Sequence, residues 1–270
     1  MPVYAAVRYS AADAVDYFAA PSEGPGKGNA VIVRTDRGLE WGTVVSSVLS
    51  GEGVELKGEI VRKATEQDVR RAREIHQTVE AEEFDACREL IARHNLPMKL
   101  VGVEHLFGGN RITFFFLADG RVDFRALVKD LAKRYRARIE MRQIGVRDEA
   151  RLLGEYGPCG RELCCRTFLR ILKPIPMKIA KSQKSTLDPV KISGRCGRLK
   201  CCLNFEDQLY AQFKRNLPRR GATVKTSFGE GVVVGYQVLD QTVSVRFPDG
   251  TERTLPLSEI EECASEDQQS

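Results

Sequence analysis

Six of the eight cysteines in this chain lie in two copies of one short motif, Cys-Gly-Arg-x-x-Cys-Cys, at residues 159–165 and 196–202. Thiolates are the preferred protein ligands of zinc, copper(I) and iron–sulfur clusters. The repeated motif therefore predicts a thiol-rich metal site. The candidate ligands are Cys159, Cys164, Cys165, Cys196, Cys201 and Cys202.

The spacing within each copy predicts two ligands per copy, namely the first cysteine and one of the adjacent pair. On an extended strand, neighbouring residues point to opposite faces, so both members of a pair would rarely reach one metal. Four thiolates suit either a closed zinc site or an iron–sulfur cluster. Gly160 and Gly197 allow a tight turn after the first ligand. The Cys-x4-Cys interval matches plant-type ferredoxins and favours iron and sulfur over zinc.

Three other uses of the thiols stay open. Structural zinc fits a cysteine-rich site. The protein would then be a zinc-stabilised nucleic-acid-binding module without a redox cluster. A dithiol redox enzyme would need Cys-x-x-Cys in a strand–helix context, which the sequence lacks. Disulfides are the least expected in a reducing compartment. The common nucleotide-binding, hydrolase and metalloprotease motifs are also absent, so the sequence predicts no enzyme.

Basic residues are concentrated around the two motifs. The net charge is +5, and residues 166–200 contain ten lysines and arginines against one acid, Asp188. Such a segment indicates contact with a phosphate backbone or an acidic partner, although a solvated connecting segment would have the same composition. The candidate binding residues are Arg166, Arg170, Lys173, Lys178, Lys181, Lys184, Lys191, Arg195, Arg198 and Lys200.

The sequence gives no sign of a targeting or membrane segment. The first twenty residues contain Asp13 and Asp16 and lack a basic start followed by an apolar stretch. The longest apolar run, residues 114–118, is far shorter than the roughly 20 residues that span a bilayer. We therefore expect a cytoplasmic protein without a transmembrane segment.

Hydrophobic periodicity predicts the order of helices and strands in the middle of the chain, before the cysteine motifs. Residues 58–147 show the order strand, helix, strand, strand, helix, strand, which is the ferredoxin-like βαββαβ pattern. The first helix begins at a capping box of Thr65 and Asp68, and it carries Cys87 and His76 on its apolar face. Both are expected to be core residues.

The phenylalanines of residues 111–116 could instead stack on RNA bases, since the same element order occurs in RNA-recognition domains. A Phe-rich central strand is more commonly core.

The whole chain is predicted to be an α+β protein with a cysteine-rich metal-binding segment. Strand alternation and an Asp-Gly turn at residues 249–250 predict a small SH3-like barrel of five strands at the C-terminal end. The predicted divisions are a β-rich N-terminal segment at 1–57, the ferredoxin-like domain at 58–147, the cysteine-rich basic segment at 148–216, the barrel at 217–262 and an acidic tail at 263–270.

These motifs together resemble the bacterial YaaT/RicT family, which carries the homology region named after the yeast PSP-one protein. The doubled cysteine motif is the most specific match, and the stretches at residues 37–43, 178–183 and 229–231 also fit. The resemblance covers roughly residues 1–262.

The resemblance implies a non-catalytic cytosolic scaffold that binds an iron–sulfur cluster through the six motif cysteines. It also implies partnership with small helical proteins of the YlbF and YmcA type. In that family the complex adjusts RNA processing by RNase Y and affects sporulation, competence and biofilm formation. Some cluster ligands would come from the partner subunits.

Overall fold

The computed structural model describes residues 3–11, 14–21, 24–46, 49–51, 53–169, 172–183 and 188–262. Arg170, Lys184 and the acidic tail at 263–270, all named in the sequence analysis, lie outside these ranges. The chain divides into unit 1, residues 1–170 with 195–197, and unit 2, residues 171–194 with 198–270. Within the described ranges, no helix has the length and apolar character needed to cross a membrane.

Unit 1 begins with a closed ring of five strands. The sheet order is β2-β6-β3-β4-β1-β5, and β2 also pairs with β1, which closes the ring. The buried side chains inside it include Val7, Phe18, Val31 and Ile60. The strands are β1 (Val3–Tyr9), β2 (Ala14–Ala19), β3 (Ala30–Thr35), β4 (Gly38–Val44), β5 (Leu49–Ser50) and β6 (Leu56–Lys63).

The centre of unit 1 is a three-stranded sheet covered by helices. β7 and β8 pair antiparallel, while β8 and β9 pair parallel and are joined by α3. Helices α2 and α3 pack over the sheet through Cys87, Leu90, Leu127 and Leu131. The elements are α1 (Glu66–Glu74), a π-helical turn (Ile75–Val79), α2 (Glu80–Arg93), β7 (Lys99–His105), β8 (Arg111–Leu117), α3 (Arg125–Tyr135) and β9 (Arg138–Gln143).

The centre does not adopt the ferredoxin-like topology that the element order predicted. β6, the predicted first strand, lies in the N-terminal ring, where it pairs with β2 and β3. Only Ile60 of β6 is buried, so this strand cannot fill the middle of a covered sheet. A Cβ at Gly58 would lie 1.9 Å from the Arg34 carbonyl oxygen, so glycine is required where β6 crosses β3.

Helix α1 begins at the capping box predicted from the sequence. The Thr65 hydroxyl accepts a hydrogen bond from the Asp68 amide, and the Asp68 carboxylate accepts one from the Thr65 amide. The Arg62 guanidinium and the Thr65 hydrogen bonds hold the pKa of the Asp68 carboxyl well below its usual range. Ala72 and Ile75 then pack against Ile32 of the ring, which attaches this helix to the strands.

The depressed pKa of Asp68 predicts a specific dependence of stability on pH. A carboxyl whose pKa is lowered on folding stabilises the protein above its unfolded pKa, about 3.9, and loses that effect as the pH falls below it. Asp68→Asn should therefore lower the free energy of unfolding by about 1–2 kcal/mol at pH 7, and by less at pH 3. Urea unfolding followed by the fluorescence of Trp41 measures both values; an equal loss at the two pH values would contradict the assignment.

Unit 2 ends in the five-stranded sheet that the sequence predicted as a small barrel. The strand order is β13-β12-β11-β10-β14, so the last strand returns beside the first. Val224, Val233, Val243 and Leu255 are buried on the inner face. The strands are β10 (Thr223–Thr226), β11 (Gly229–Gln237), β12 (Thr242–Arg246), β13 (Glu252–Pro256) and β14 (Ile260–Glu262).

Candidate functional site

The two cysteine motifs fold into the same local structure. In the first copy, Tyr156 and Glu162 form a β-bridge, and the Gly157 amide donates to the Arg161 carbonyl at 2.8 Å. In the second copy, Ser193 and Leu199 form the corresponding bridge. Each hairpin leads directly into a helix, and the helices of this region are α4 (Val146–Leu153), α5 (Cys164–Thr167), α6 (Met177–Ser182), α7 (Pro189–Ile192) and α8 (Cys201–Arg215).

The glycine after the first cysteine makes each turn possible. Gly160 has φ +76° and Gly197 has φ +69°, and both values lie in the left-handed region that residues with a Cβ rarely adopt. No atom lies within 4 Å of where a Cβ would stand at either glycine. The requirement is therefore conformational rather than steric, and it confirms the tight turn predicted after Cys159 and Cys196.

The adjacent cysteine pairs begin helices, and this corrects the expectation that they lie on strands. Cys164 is the first residue of α5, and Cys201 is the first residue of α8. Neither helix has a side-chain cap at its start, so its first amide groups are not satisfied by a capping side chain. Cys164 is half-buried, whereas Cys165 is buried.

Part of the second motif belongs to the same compact unit as the first. Residues 195–197 cluster with unit 1, where Arg195 forms an ion pair with Glu155 at 3.0 Å and donates to the Tyr156 carbonyl at 3.3 Å. Burial raises the pKa of the Cys165 thiol, and the charge of Cys196 adds to the increase. Unit 1 therefore contains four of the six motif thiols, Cys159, Cys164, Cys165 and Cys196.

The donor set has the chemistry of a thiolate metal site, but the described ranges do not hold a preassembled one. No group of three or more His, Cys, Asp or Glu side chains there is arranged to hold a metal ion. Five of the six motif cysteines are at least partly exposed, and Cys165 is buried.

The predicted basic residues that the structure describes are divided between the two units. Arg166 and Arg195 lie in unit 1, where the Arg166 guanidinium covers Gly154. The others that are described lie in unit 2, and Arg170 and Lys184 lie outside the described ranges. The unit 2 residues are Lys173, Lys178 and Lys181 on or before α6, Lys191 on α7, and Arg198 and Lys200 in the second hairpin.

The one described cysteine outside the motifs, Cys87, and the three histidines each contact other residues of the fold. Cys87 is fully buried, and burial raises the pKa of its thiol to about 12, which confirms its expected core role. His76 is not a core residue as expected, because its side chain is 55% exposed. It bonds to Glu80 at 3.1 Å, and this contact raises the pKa of His76. His94 and His105 contact Asp130 and Glu83, respectively.

The phenylalanines of β8 cannot stack on RNA bases. Phe114, Phe115 and Phe116 are only 0%, 5% and 2% exposed, respectively. Base stacking needs an aromatic face that is open to the ligand. These side chains are core, so the RNA-recognition interpretation of the sheet is wrong.

One buried cluster of charges was not foreseen from the sequence. Arg37 donates from Nε to Glu40 at 3.1 Å and from Nη2 to Glu104 at 3.1 Å. Glu104 also accepts a hydrogen bond from the Ala11 amide at 2.8 Å. The cluster joins the ring to β7 within unit 1. No sequence pattern signals it, because Glu104 is distant in sequence from its partners.

Comparison with known protein families assigns two regions of the chain. Residues 58–144 match the PSP1 C-terminal conserved region, and residues 174–217 match the third domain of PSP1-like proteins. The first region spans β6 to β9, and the second spans α6 to α8 with the second cysteine motif.

Two curated proteins are similar to the chain. The stage 0 sporulation protein YaaT of Bacillus subtilis is 44% identical over 242 residues, covering 88% of each chain. An uncharacterized protein of Schizosaccharomyces pombe is 29% identical over 140 residues, covering 41% of this chain and 19% of that one. No solved structure matches the chain significantly.

Proposed function

The chain belongs to the YaaT family of PSP1 proteins, and from that membership we propose that it is a non-catalytic regulator that binds an iron–sulfur cluster. The observation that carries the proposal is the pair of structurally equivalent hairpins, each of which presents a cysteine at its turn and two more at a helix start. Neither the family descriptions nor the relatives' names describe an enzyme.

The proposed ligands come from the six motif cysteines. Cys159 and Cys196 occupy equivalent turns, and Cys164 and Cys201 occupy equivalent helix starts. Both Cys159 and Cys164 are accessible to a metal, whereas Cys165 is buried. A bound cluster would supply a redox- and oxygen-sensitive group whose properties depend on hydrogen bonds to its sulfurs. Cys165 and Cys202 complete the proposed set.

The partners are part of the same proposal. We expect small helical proteins of the YlbF and YmcA type to complete the site, because the described ranges gather no three metal-binding side chains. The assembly would adjust RNA processing by RNase Y in the cytoplasm, and the exposed lysines and arginines of the basic segment would meet RNA or an acidic partner surface. Stage 0 sporulation protein YaaT, the similar Bacillus subtilis protein, places the family in sporulation.

Elemental analysis tests which metal the thiols bind. The full chain, alone and co-purified with its two helical partners, is isolated without oxygen and analysed for iron and zinc together with its visible absorption. The proposal predicts brown protein with iron in excess of zinc. Colourless protein with stoichiometric zinc in both preparations would contradict it and would support the zinc-stabilised nucleic-acid-binding module instead.

A further inference from the structure

Unit 2 contains a groove between α6 and α8, within the region that matches the third PSP1-like domain. Its volume is about 570 Å³, and side chains from both helices form its walls. The polar lining residues are Lys178, Ser182, Asp207, Tyr210, Lys214 and Arg215.

The groove carries an excess of positive charge. Lys178, Lys214 and Arg215 are exposed, and none of them forms an ion pair with a carboxylate in the described part of the chain. Asp207 is the only acid in the lining, and its carboxylate accepts a hydrogen bond from the Gln183 amide at 3.2 Å. Three cations thus face a cavity that holds one carboxylate.

The helix dipoles explain the positions of two of these cations but not the position of Lys178. Lys214 and Arg215 lie in the last turn of α8, where the helix dipole favours cations. Lys178 is the second residue of α6, where the same dipole disfavours a cation. Its position on the groove therefore suggests an anionic ligand rather than the stability of its own helix.

We propose that this groove binds the phosphodiester backbone of single-stranded RNA. The three cations suit phosphates, and the half-buried Tyr210 ring beside Ile179 offers an apolar surface to a base or ribose. A duplex does not fit the site, because α6 has six residues and is therefore only about 9 Å long. Proteins that bind duplex RNA contact roughly 16 base pairs.

The groove gives one part of the basic segment a ligand, single-stranded RNA. Its role in the cell rests on the proposed function. The probe is a short fluorescein-labelled oligouridylate, and its binding to the full chain is followed by anisotropy over a salt series. The test variant is Lys178→Gln with Lys214→Gln and Arg215→Gln. The matched control is Arg219→Gln with Lys225→Gln and Arg253→Gln, three exposed cations of unit 2 outside the groove and outside the candidate binding residues.

The groove variant should bind the RNA at least about tenfold more weakly, and the slope of log affinity against log salt should fall in magnitude by about 2, since each single-strand phosphate contact contributes about 0.7. The control should keep most of the affinity, with circular dichroism showing that both variants are folded. Equal losses in both variants, or no loss in the groove variant, would overturn the proposal.

Two further measurements separate this proposal from its alternatives. If a fluorescein-labelled polyglutamate binds and oligouridylate does not, and if the groove variant abolishes that binding, the groove is an acidic-protein surface and the RNA assignment is wrong. Iron and sulfide are measured on the same preparations. If iron and sulfide are present but RNA does not bind, the groove assignment is wrong and the cluster proposal stands. If RNA binds but iron is absent, the cluster proposal is wrong and the groove assignment stands.

Discussion

Replacing the two turn cysteines with serine, Cys159→Ser together with Cys196→Ser, should remove nearly all of the iron from anaerobically purified protein. Each of these thiols lies next to a left-handed glycine that places it at the tip of a hairpin. A serine hydroxyl keeps the size of the side chain but is a poor substitute for a thiolate toward iron–sulfur clusters. Iron analysis of the variant and the wild-type chain gives the result directly.

Cys87→Ala is the matched control, because Cys87 is the one described cysteine outside the motifs. Its thiol is fully buried in the centre of unit 1, where it cannot reach a metal in solution. The control should keep its iron while losing some stability. If the turn variant keeps its iron, or if the Cys87 variant loses as much, the motif thiols are not the ligands.

Arg37→Met should produce the largest loss of stability of any single substitution considered for unit 1. Glu40 and Glu104 are only 3% and 6% exposed, and Arg37 is the cation that bonds to both. Removing one member of a buried ion pair leaves an uncompensated charge and costs about 3–5 kcal/mol. That is a large part of the 5–15 kcal/mol typical of a folded domain.

Trp41, the only tryptophan, lies on β4 beside this cluster and reports the unfolding of unit 1 in urea. Arg34→Met is the control, since Arg34 lies on the same hairpin but pairs with Glu59 at 3.3 Å in an exposed position. It should cost less than about 1 kcal/mol. Similar losses in the two variants would contradict the role assigned to Arg37. Adding Glu40→Gln and Glu104→Gln to Arg37→Met should recover part of the loss.

Local signals in the sequence predicted local structure well. The Thr65 capping box and the five C-terminal strands both depend on turns, caps and alternation within short segments. The turn after Cys159 was predicted for the same reason, because only the conformational freedom of Gly160 was needed.

Pairings between distant segments could not be predicted in this way. The ring includes the parallel pairing of β2 with β6, and no pattern within either strand specifies its partner. The ferredoxin-like prediction failed because it assigned β6 to the nearest following strands. Gly58 allows β6 to approach Arg34 on β3, but a glycine alone does not identify the strand that it will contact.

The candidate site shows the same division between local and distant information. The six thiols were identified from the repeated motif, whereas the helix starts at Cys164 and Cys201 were not predicted, since Cys-Cys has no strong preference between strand and helix. Residues 195–197 belong to unit 1, where Arg195 pairs with Glu155, and this pairing of residues far apart in sequence could not be predicted.

The proposal that the motif cysteines bind an iron–sulfur cluster is tested by measuring inorganic sulfide per chain. The measurement uses the full chain purified with its helical partners under nitrogen. Sulfide distinguishes a cluster from zinc and from iron bound by cysteine alone. We expect sulfide in about equal amount to iron. Both should be lost when Cys159 and Cys196 are replaced by serine. Iron-free protein without sulfide, which keeps its motif thiols fully reactive toward a thiol reagent, would contradict it.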